Sequence, residues 1–412
     1  MNINVRCGLR RITMVTLMIL RLESALSGRN VLRHSVRSPL NTIQKLALVV
    51  LFAMCVAGPL HARKKQNVRG SWKFAVSGDS RNCGDIVMPG IAQAVRRDGA
   101  AFYWHLGDYR AIYTFDEDYL RIHPNTTIDD YLANAWPDFI EHQMKPFGDF
   151  PVFLGIGNHE LVTPKTRPQY IDQFADWLDK PVIRQQRLAD NPDDHLVKTY
   201  YHWVERGVDF IAMDNASPDM FDANQMIWFQ GVLAKDAKDP SIRTVVVGMH
   251  ASLPDGLSAG HSMNDSAQEA SSGRSVYSQL LAFRHSTKKN VYVLASHSHF
   301  VLNNVYETAC RSKDEILPGW ITGSAGAVWY LLPLEHAPST VAMTDVYGYL
   351  LGTVAPDGTM TFEFRQVEET SIPASVVKEF TQQQVDWCFT HNASTYMPNG
   401  PSCASGAPSS GQ

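Results

Sequence analysis

Short apolar runs recur along the chain and predict strands that are buried on both faces. Six runs have the length of such strands, about four to eight residues, and they lie at 71–77, 100–106, 150–156, 208–214, 243–249 and 290–296. Helical spacing of apolar positions separates several of these runs, at 85–99, 221–237 and 274–287. The first strand, helix and strand predict a βαβ unit, which needs a right-handed crossover and a sheet that is at least partly parallel.

Near the C-terminal end the pattern changes from buried runs to alternation. Residues 348–367 alternate around an Asp-Gly pair and predict an antiparallel hairpin. Two long segments without strand patterns, 109–149 and 157–207, follow predicted strands. Segments of that length at strand ends usually shape a binding site, although plain surface loops are the alternative.

Both ends of the chain differ in composition from its middle. Residues 1–45 contain many Arg and few acidic residues, and the apolar run 46–60 is followed by Ala62 and a basic stretch. This order is typical of a secretory signal peptide, and the run is shorter than the roughly 20 residues of a spanning helix. An uncleaved anchor or a disordered presequence is the alternative.

The composition divides the chain into three predicted parts. We predict a signal peptide or presequence over 1–62, a domain over 63–370, and a polar, partly disordered tail over 371–412. Removal of the first part predicts a secreted or periplasmic protein with no stable membrane span in the mature chain.

Export makes the cysteines informative, because oxidising compartments allow disulfides. Removal of a signal peptide leaves four of them, Cys83, Cys310, Cys388 and Cys403. Four cysteines allow three pairings, and free buried thiols are a further alternative. We favour Cys388 with Cys403, which would close a loop within the polar tail.

Composition also excludes one class of partner. The chain of 412 residues is 44% hydrophobic and 19% charged, with a formal net charge of −4. These values are typical of a globular protein and give no sign of a surface for polyanions. We therefore expect no nucleic-acid partner, and the sequence makes no prediction of oligomeric state.

Residues that can bind metals follow five of the predicted strands. They are Asp79, Asp108, Asn158, His250, and His297 together with His299. A single Asp after a strand is most often a turn or cap residue, so each residue alone is weak evidence. In open α/β sheets, however, ligands bind at the carboxyl ends of the strands, so all of these side chains would converge.

The residue types suit a pair of metal ions. Carboxylate, amide oxygen and imidazole together favour Mn, Fe or Zn over Ca or Mg. Two ions about 3.5–4 Å apart need a bridging carboxylate, and such centres activate hydroxide and stabilise both oxygens of an in-line displacement. We therefore predict two divalent or trivalent ions.

The ordered motifs resemble those of the calcineurin-like metallophosphoesterases, a superfamily that includes the purple acid phosphatases and many phosphodiesterases. The match spans residues 71–302. The resemblance implies an α/β fold, a four-layer sandwich of two mixed β-sheets flanked by helices, with a dinuclear centre at one edge. It also implies hydrolysis of a small phosphate ester by metal-activated hydroxide.

Residue roles follow from the same resemblance. Asp108 would bridge the two ions, and His159 would protonate the leaving group or steady the phosphoryl group. One ion would be completed by Asn158, His250 and His297, and the other by Asp79 and His299. Glu160 would either orient the His159 imidazole or act as a carboxylate at a helix start.

Arg81 departs from the family pattern. The first motif usually reads Asp-x-His, and a guanidinium has no lone pair for a metal. The tyrosine that the purple acid phosphatases place after the bridging Asp is Ala111 here, so we predict no tyrosinate ligand. The affected site could use fewer protein ligands with water, recruit a residue such as Asp85, or leave a single tight ion.

Arg81 itself has two interpretations. Its planar fork could contact a phosphate oxygen and make it a catalytic residue, or it could pack and pair with a nearby Asp. The leading hypothesis is an enzyme, a metallophosphoesterase. The alternative is a catalytically degraded protein of the same fold that binds an anionic ligand.

Overall fold

In the computed structural model, residues 70–216, 220–264, 266–336, 338–400 and 403 are described. The predicted signal peptide, 1–62, and the end of the predicted tail, 404–412, lie outside these residues. The described part contains two mixed β-sheets with flanking helices, which confirms the predicted fold class.

The first sheet has five strands, which are β1 (Trp72–Ser77), β2 (Ala100–His105), β3 (Val152–Leu154), β11 (Gly348–Val354) and β12 (Met360–Gln366). Their order in the sheet is β12-β11-β1-β2-β3. Strands β1, β2 and β3 run parallel to one another, and the C-terminal hairpin β11–β12 pairs with β1 through β11 in antiparallel register.

The second sheet has seven strands, which are β4 (Tyr201–Glu205), β5 (Val208–Ala212), β6 (Thr244–Gly248), β7 (Asn290–Ala295), β8 (Val301–Asn303), β9 (Gly319–Thr322) and β10 (Ala342–Met343). Their order in the sheet is β10-β8-β9-β7-β6-β5-β4. The neighbours β5, β6, β7 and β9 run parallel, and the other pairs are antiparallel.

Helices connect the strands and cover the outer faces of the sheets. The α-helices are α1 (Gly84–Arg97), α2 (Glu117–Ile122), α3 (Ile128–Asp138), α4 (Arg167–Gln173), α5 (Ala175–Leu178), α6 (Pro181–Asp190), α7 (Ala223–Lys238), α8 (Ala267–Thr287), α9 (Ala374–Phe380) and α10 (Gln382–Thr390). A π-helical turn covers Phe139–Met144, and 3₁₀ turns cover Lys145–Phe147, Asn158–Leu161, Ala259–His261, Lys313–Glu315 and Glu369–Ser371. Among the described residues, none of the helices combines the length and the hydropathy that a membrane span requires.

Aromatic side chains fill the space between the inner faces of the two sheets. Phe74 and Phe102 of the first sheet each meet Phe210 of the second with ring centroids 5.0 Å apart, and Phe153 stacks on Trp203 at 3.9 Å. Such pairs contribute about 0.5–1.5 kcal/mol each beyond the area they bury. This core fixes the two sheets against each other, and with them the strand ends that carry the site.

The predicted elements are confirmed, with differences at their ends. All six predicted strands, the three predicted helices and the hairpin are present. Helix α8 begins at Ala267, before the predicted start at residue 274. Ser266 and Glu269 form a capping box at this start. The first turns contain few large apolar residues, and Gly273 lies against Pro254 there, so the apolar pattern did not reveal them.

The predicted cysteine pairing is wrong. Cys83 is bonded to Cys388, and Cys310 is bonded to Cys403. The bonded cysteines are 305 and 93 residues apart in the sequence. The prediction failed because it paired the two cysteines that are neighbours in the sequence, whereas the fold brings distant segments together. Free thiols are excluded for these four residues as well.

The segment after residue 370, expected to be a partly disordered tail, contains ordered structure. Helices α9 and α10 lie within it, and α9 packs on α1 and α2. Val376, Phe380 and Val385 are buried there, which supplies the apolar contacts that the polar composition concealed.

Candidate metal centre

Three predicted ligands follow the parallel strands of the first sheet. Asp79 follows β1, Asp108 follows β2, and Asn158 begins the 3₁₀ turn after β3. Because parallel neighbours end at the same edge of a sheet, the three side chains lie side by side. The sequence order of the motifs therefore becomes a spatial row.

Three further predicted ligands follow neighbouring strands of the second sheet. His250 follows β6, and His297 and His299 follow β7. The edges of the two sheets meet here, because Leu106 O accepts hydrogen bonds from Nδ1 of His250 at 3.0 Å and from Oγ of Ser296 at 3.2 Å. All six predicted ligands are thus brought to one edge.

Left-handed backbone conformations aim several of these side chains inward. Asp79 and Asp108 have φ of 62°, and His297 has φ of 66°. Non-glycine residues rarely adopt this region, and such conformations concentrate at functional sites at a cost of about 1–3 kcal/mol each. Gly157 faces Asp108 without a side chain, and a Cβ at this position would overlap Oδ1 of Asp108.

The atoms of His250, Asn158 and Asp108 converge closely. Nε2 of His250 lies 2.9 Å from Oδ1 of Asn158 and 3.3 Å from Oδ1 of Asp108. Since Nδ1 of His250 donates to Leu106, its Nε2 carries a lone pair in the neutral ring. Either a proton on Nε2 or a cation must therefore lie among these atoms.

Unsatisfied oxygens support a cation at this point. Oδ1 of Asp79 and Oδ2 of Asp108 are buried and have no hydrogen-bond partner among the described residues. One donor atom from each of Asp79, Asp108, His250 and His297 lies within 4.8 Å of the others. A buried carboxylate oxygen without a partner is costly, so the arrangement fits a bound metal ion.

The pKa shifts of Asp108 and His250 also favour a bound cation. Burial opposes ionisation of Asp108, yet the imidazoles of His159 and His250 hold the pKa of Asp108 well below its ordinary value. Against the effect of burial, the Asp108 carboxylate raises the pKa of His250 to about 10. Without an ion, a proton on His250 balances the carboxylate, and a metal cation would replace that proton.

Arg81 lies inside the centre rather than at its mouth. Its side chain is 6% exposed, and Nη1 and Nη2 lie 2.7 Å from Nε2 of His159 and 3.1 Å from Nε2 of His299. Burial opposes its charge, but Asp108 raises the pKa of Arg81 above its ordinary value. The guanidinium is a permanent positive charge between the two imidazoles.

His159 and Glu160 have different surroundings from those expected of a pair. His159 is 4% exposed and donates from Nδ1 to Ala111 O at 2.6 Å, whereas Glu160 accepts from backbone N–H groups of Gly157, Asp108 and Tyr109. The expectation that Glu160 orients the His159 ring is wrong. The carboxylate instead fixes the loops that carry the ligands, which is close to the helix-start alternative.

Asp85 does not replace the missing ligand. Its Oδ1 lies 2.5 Å from Arg110, which is fully buried among four carboxylates. These are Asp85, Asp116, Asp118 and Asp138. Asp85, Asp138 and His142 are close enough to one another to bind a metal, but Arg110 already contacts the carboxylates of this cluster.

Three aromatic residues at the centre were not among the predicted site residues. Tyr330 stacks on His299 with ring centroids 4.0 Å apart, and Tyr113 and Tyr330 each lie 3.3 Å from an Arg81 nitrogen. The ring of His261 lies 4.6 Å from that of His297. Tyr330 lies just beyond the small-residue run 321–327, in which the backbone N–H of Ala327 donates to Asp79 O.

No protein-family model and no curated protein matches the chain. Among solved structures, it is similar to a purple acid phosphatase from yellow lupin (Lupinus luteus) seeds, with 15% identity and a TM-score of 0.48, covering 73% of this chain and 52% of that one. It is also similar to PhoD, with 14% identity and a TM-score of 0.45, covering 77% and 78%. Both have calcineurin-like metallophosphoesterase folds. The chain spans about half the length of the lupin protein, and the chemistry of the site rests on its own residues.

Proposed function

We propose that this protein hydrolyses a small phosphate ester at a metal centre formed where the two sheets meet. The convergence of donor atoms from Asp79, Asp108 and His250 on one buried point supports this function best. Two carboxylate oxygens at that point have no hydrogen-bond partner among the described residues. A divalent ion held there would polarise a phosphoryl oxygen and make water nucleophilic near neutral pH.

The surrounding side chains suit an anionic substrate. Asn158 and His297 are partly exposed, and Tyr113, 63% exposed, lies beside Arg81. A phosphoryl group entering at this side meets the fixed charge of Arg81, which would stabilise negative charge that develops in the transition state.

His159 is the proposed proton donor to the leaving group. Its Nδ1 donates to Ala111 O, and its Nε2 accepts from Arg81. In this arrangement Nε2 carries a lone pair and no proton, so it first has to exchange the bond from Arg81 for a proton released by the attacking water, which it then passes to the leaving oxygen. Arg81 therefore acts on the substrate by its charge and by its hold on His159.

The two disulfides bear on the cellular location of the protein. Disulfides persist in oxidising compartments, so the bridges from Cys83 and Cys310 favour a secreted or periplasmic protein.

The function is tested with an aryl phosphate monoester and an aryl phosphate diester, using protein stripped by a chelator and reloaded with Mn²⁺. We expect the wild type to hydrolyse at least one ester and to lose that activity on chelation. In Asp108→Asn, ion affinity should fall more than about 100-fold, since even partners outside the ligand shell cost about 10–100-fold. In His159→Ala, kcat should fall about 10²–10⁴-fold while the ion is retained.

An anion-binding protein without turnover is the second candidate. The observation in its favour is Arg81, whose two terminal nitrogens contact both His159 and His299. Wild-type protein that binds Mn²⁺ and inorganic phosphate but hydrolyses neither ester would overturn the enzyme and support this candidate.

A further inference from the structure

We infer that the guanidinium of Arg81 occupies the place of one of the two expected ions, so that the centre holds a single metal ion beside a fixed organic cation. This inference rests on the proposed metal centre and replaces the expectation of two ions.

Both imidazoles beside Arg81 direct a lone pair towards it. His159 donates from Nδ1 to Ala111 O at 2.6 Å, and His299 donates from Nδ1 to Val328 O at 2.7 Å. A neutral imidazole that donates from Nδ1 accepts at Nε2. Both Nε2 atoms face the guanidinium, at 2.7 and 3.1 Å. The lone pair that His299 would offer to a metal is therefore used by Arg81.

The remaining terminal N–H groups of Arg81 are used as well. Nη1 donates to the hydroxyl of Tyr113 and Nη2 to the hydroxyl of Tyr330, each at 3.3 Å. Tyr330 in turn stacks on His299. Two imidazoles and two phenols thus surround a planar group that has two hydrogens on each terminal nitrogen. Arg81 is a built-in part of the centre, and an arm that swings out to reach phosphate would break all four contacts.

Charge balance also favours one ion. The two central carboxylates, Asp79 and Asp108, are both buried, and the guanidinium already offsets one of their charges. One divalent ion leaves the group with a single positive charge, which suits an incoming phosphoryl anion. A second divalent ion would lie within a few ångströms of both the first ion and Arg81, and like charges at that range in a buried site repel strongly.

The converging donor atoms form a single cluster, enough for one ion. Asp79, Asp108, His250 and His297 each place a donor within 4.8 Å of the others, and Asn158 adds its amide oxygen beside His250. Carboxylate, amide and imidazole donors in this number complete the coordination of one transition-metal ion with space for water. His299 lies on the Arg81 side, 3.3 Å from Oδ1 of Asp79.

The experiment counts ions directly and does not depend on turnover. Stripped protein is dialysed against Mn²⁺, its metal content is measured by mass spectrometry, and its spin state by electron paramagnetic resonance. We expect one tightly bound equivalent with the signal of an isolated Mn²⁺ ion in the wild type. Arg81→His removes the guanidinium and places an imidazole at position 81, where the family pattern has one. This variant should bind two equivalents of Mn²⁺ and give an exchange-coupled signal.

Arg97→His is the matched control. Arg97 is exposed on the last turn of α1, so its replacement adds a histidine without reaching the centre, and one equivalent should remain. Two equivalents or a coupled signal in the wild type would overturn the inference. One equivalent in Arg81→His protein of unchanged circular dichroism would also overturn it. No tightly bound ion in the wild type would instead overturn the proposed metal centre.

Discussion

Glu160 holds Asp108 in place by accepting its backbone N–H at 2.9 Å. In the opposite direction, the backbone N–H of His159 donates to Oδ1 of Asp108 at 3.0 Å. The loop after β2 and the turn after β3 therefore fix each other, and the carboxylate that the ion needs is oriented by the motif that also carries His159. A ligand site built this way depends on residues that never touch the ion.

Glu160→Gln should weaken ion binding by about 10–100-fold, because the amide of Gln presents N–H groups to backbone donors that need an acceptor. It should also destabilise the fold by roughly 1–3 kcal/mol through the donors left unsatisfied. Mn²⁺ titration calorimetry and urea unfolding measure the two effects. Glu363→Gln on the exposed side of β12 is the control, and equal ion affinity in both variants would contradict the role of Glu160.

Arg110→Met should destabilise the protein by about 3–5 kcal/mol or more, because it leaves buried carboxylates without their cation. Arg110 is fully buried and pairs with Asp85, Asp116, Asp118 and Asp138. Urea unfolding of the stripped protein gives the change in unfolding free energy. Arg184→Met removes an exposed pair with Asp179, which solvent screens, and should change the unfolding free energy far less. A similar cost in both variants would show that the buried cluster contributes little.

The cysteine pairing predicts specific cross-linked peptides. Proteolysis without reduction, followed by mass spectrometry, should recover Cys83 joined to Cys388 and Cys310 joined to Cys403. The double variant Cys83→Ala/Cys388→Ala should lose about 2–5 kcal/mol of stability, since the bridge closes a long loop in the unfolded chain. Recovery of a Cys388–Cys403 peptide would contradict the structure.

Stability should fall as the pH rises from about 6.5 to 10. His202 lies between Asp190 and Asp209, and although burial opposes its charge, Asp209 and Asp190 raise the pKa of His202 to about 10. The folded state therefore keeps a proton that the unfolded chain releases near pH 6.5. This contribution is fully present below pH 6.5 and is lost as the pH passes 10.

His202→Gln tests the source of that fall. At pH 7 the variant should be less stable than the wild type by a few kcal/mol, and the gap should narrow towards pH 10. Burial and Asp209 also raise the pKa of Asp236 to about 9, so both proteins keep some decline in this range. Thermal unfolding across the pH series gives the comparison, and a gap that stays constant with pH would exclude His202 as the source.

Much of the fold and the ligand set could be predicted because each signal is local. An apolar run of strand length followed by a polar residue, as at Asp79 or Asp108, predicts both the strand and the position of the polar side chain at the end of that strand. The rule that ligands gather at strand ends then brings the residues together without any distance information. Gly157, in the motif after β3, fits the same picture because it leaves room for the Asp108 side chain.

The rest depends on contacts between distant segments. The position of Arg110 in sequence gives no hint of four carboxylates around it, and a polar tail does not reveal that Val376 and Phe380 are buried. Arg81 is the clearest case, because the sequence shows only that a ligand is missing. That its guanidinium would contact His159 and His299 follows from three loops meeting, which no spacing encodes.

Asn392, which follows the two C-terminal helices, ties the C-terminal segment to the rest of the fold. Its side chain donates to Gly326 O and to the Tyr347 hydroxyl, and its own carbonyl accepts from Trp329 N–H. A polypeptide cut after residue 370 would lose these bonds together with one half of each disulfide. Shortened versions designed from the predicted domain limit at residue 370 would therefore lack the brace on the loop that runs from Gly326 to Tyr330, whose hydroxyl contacts Arg81.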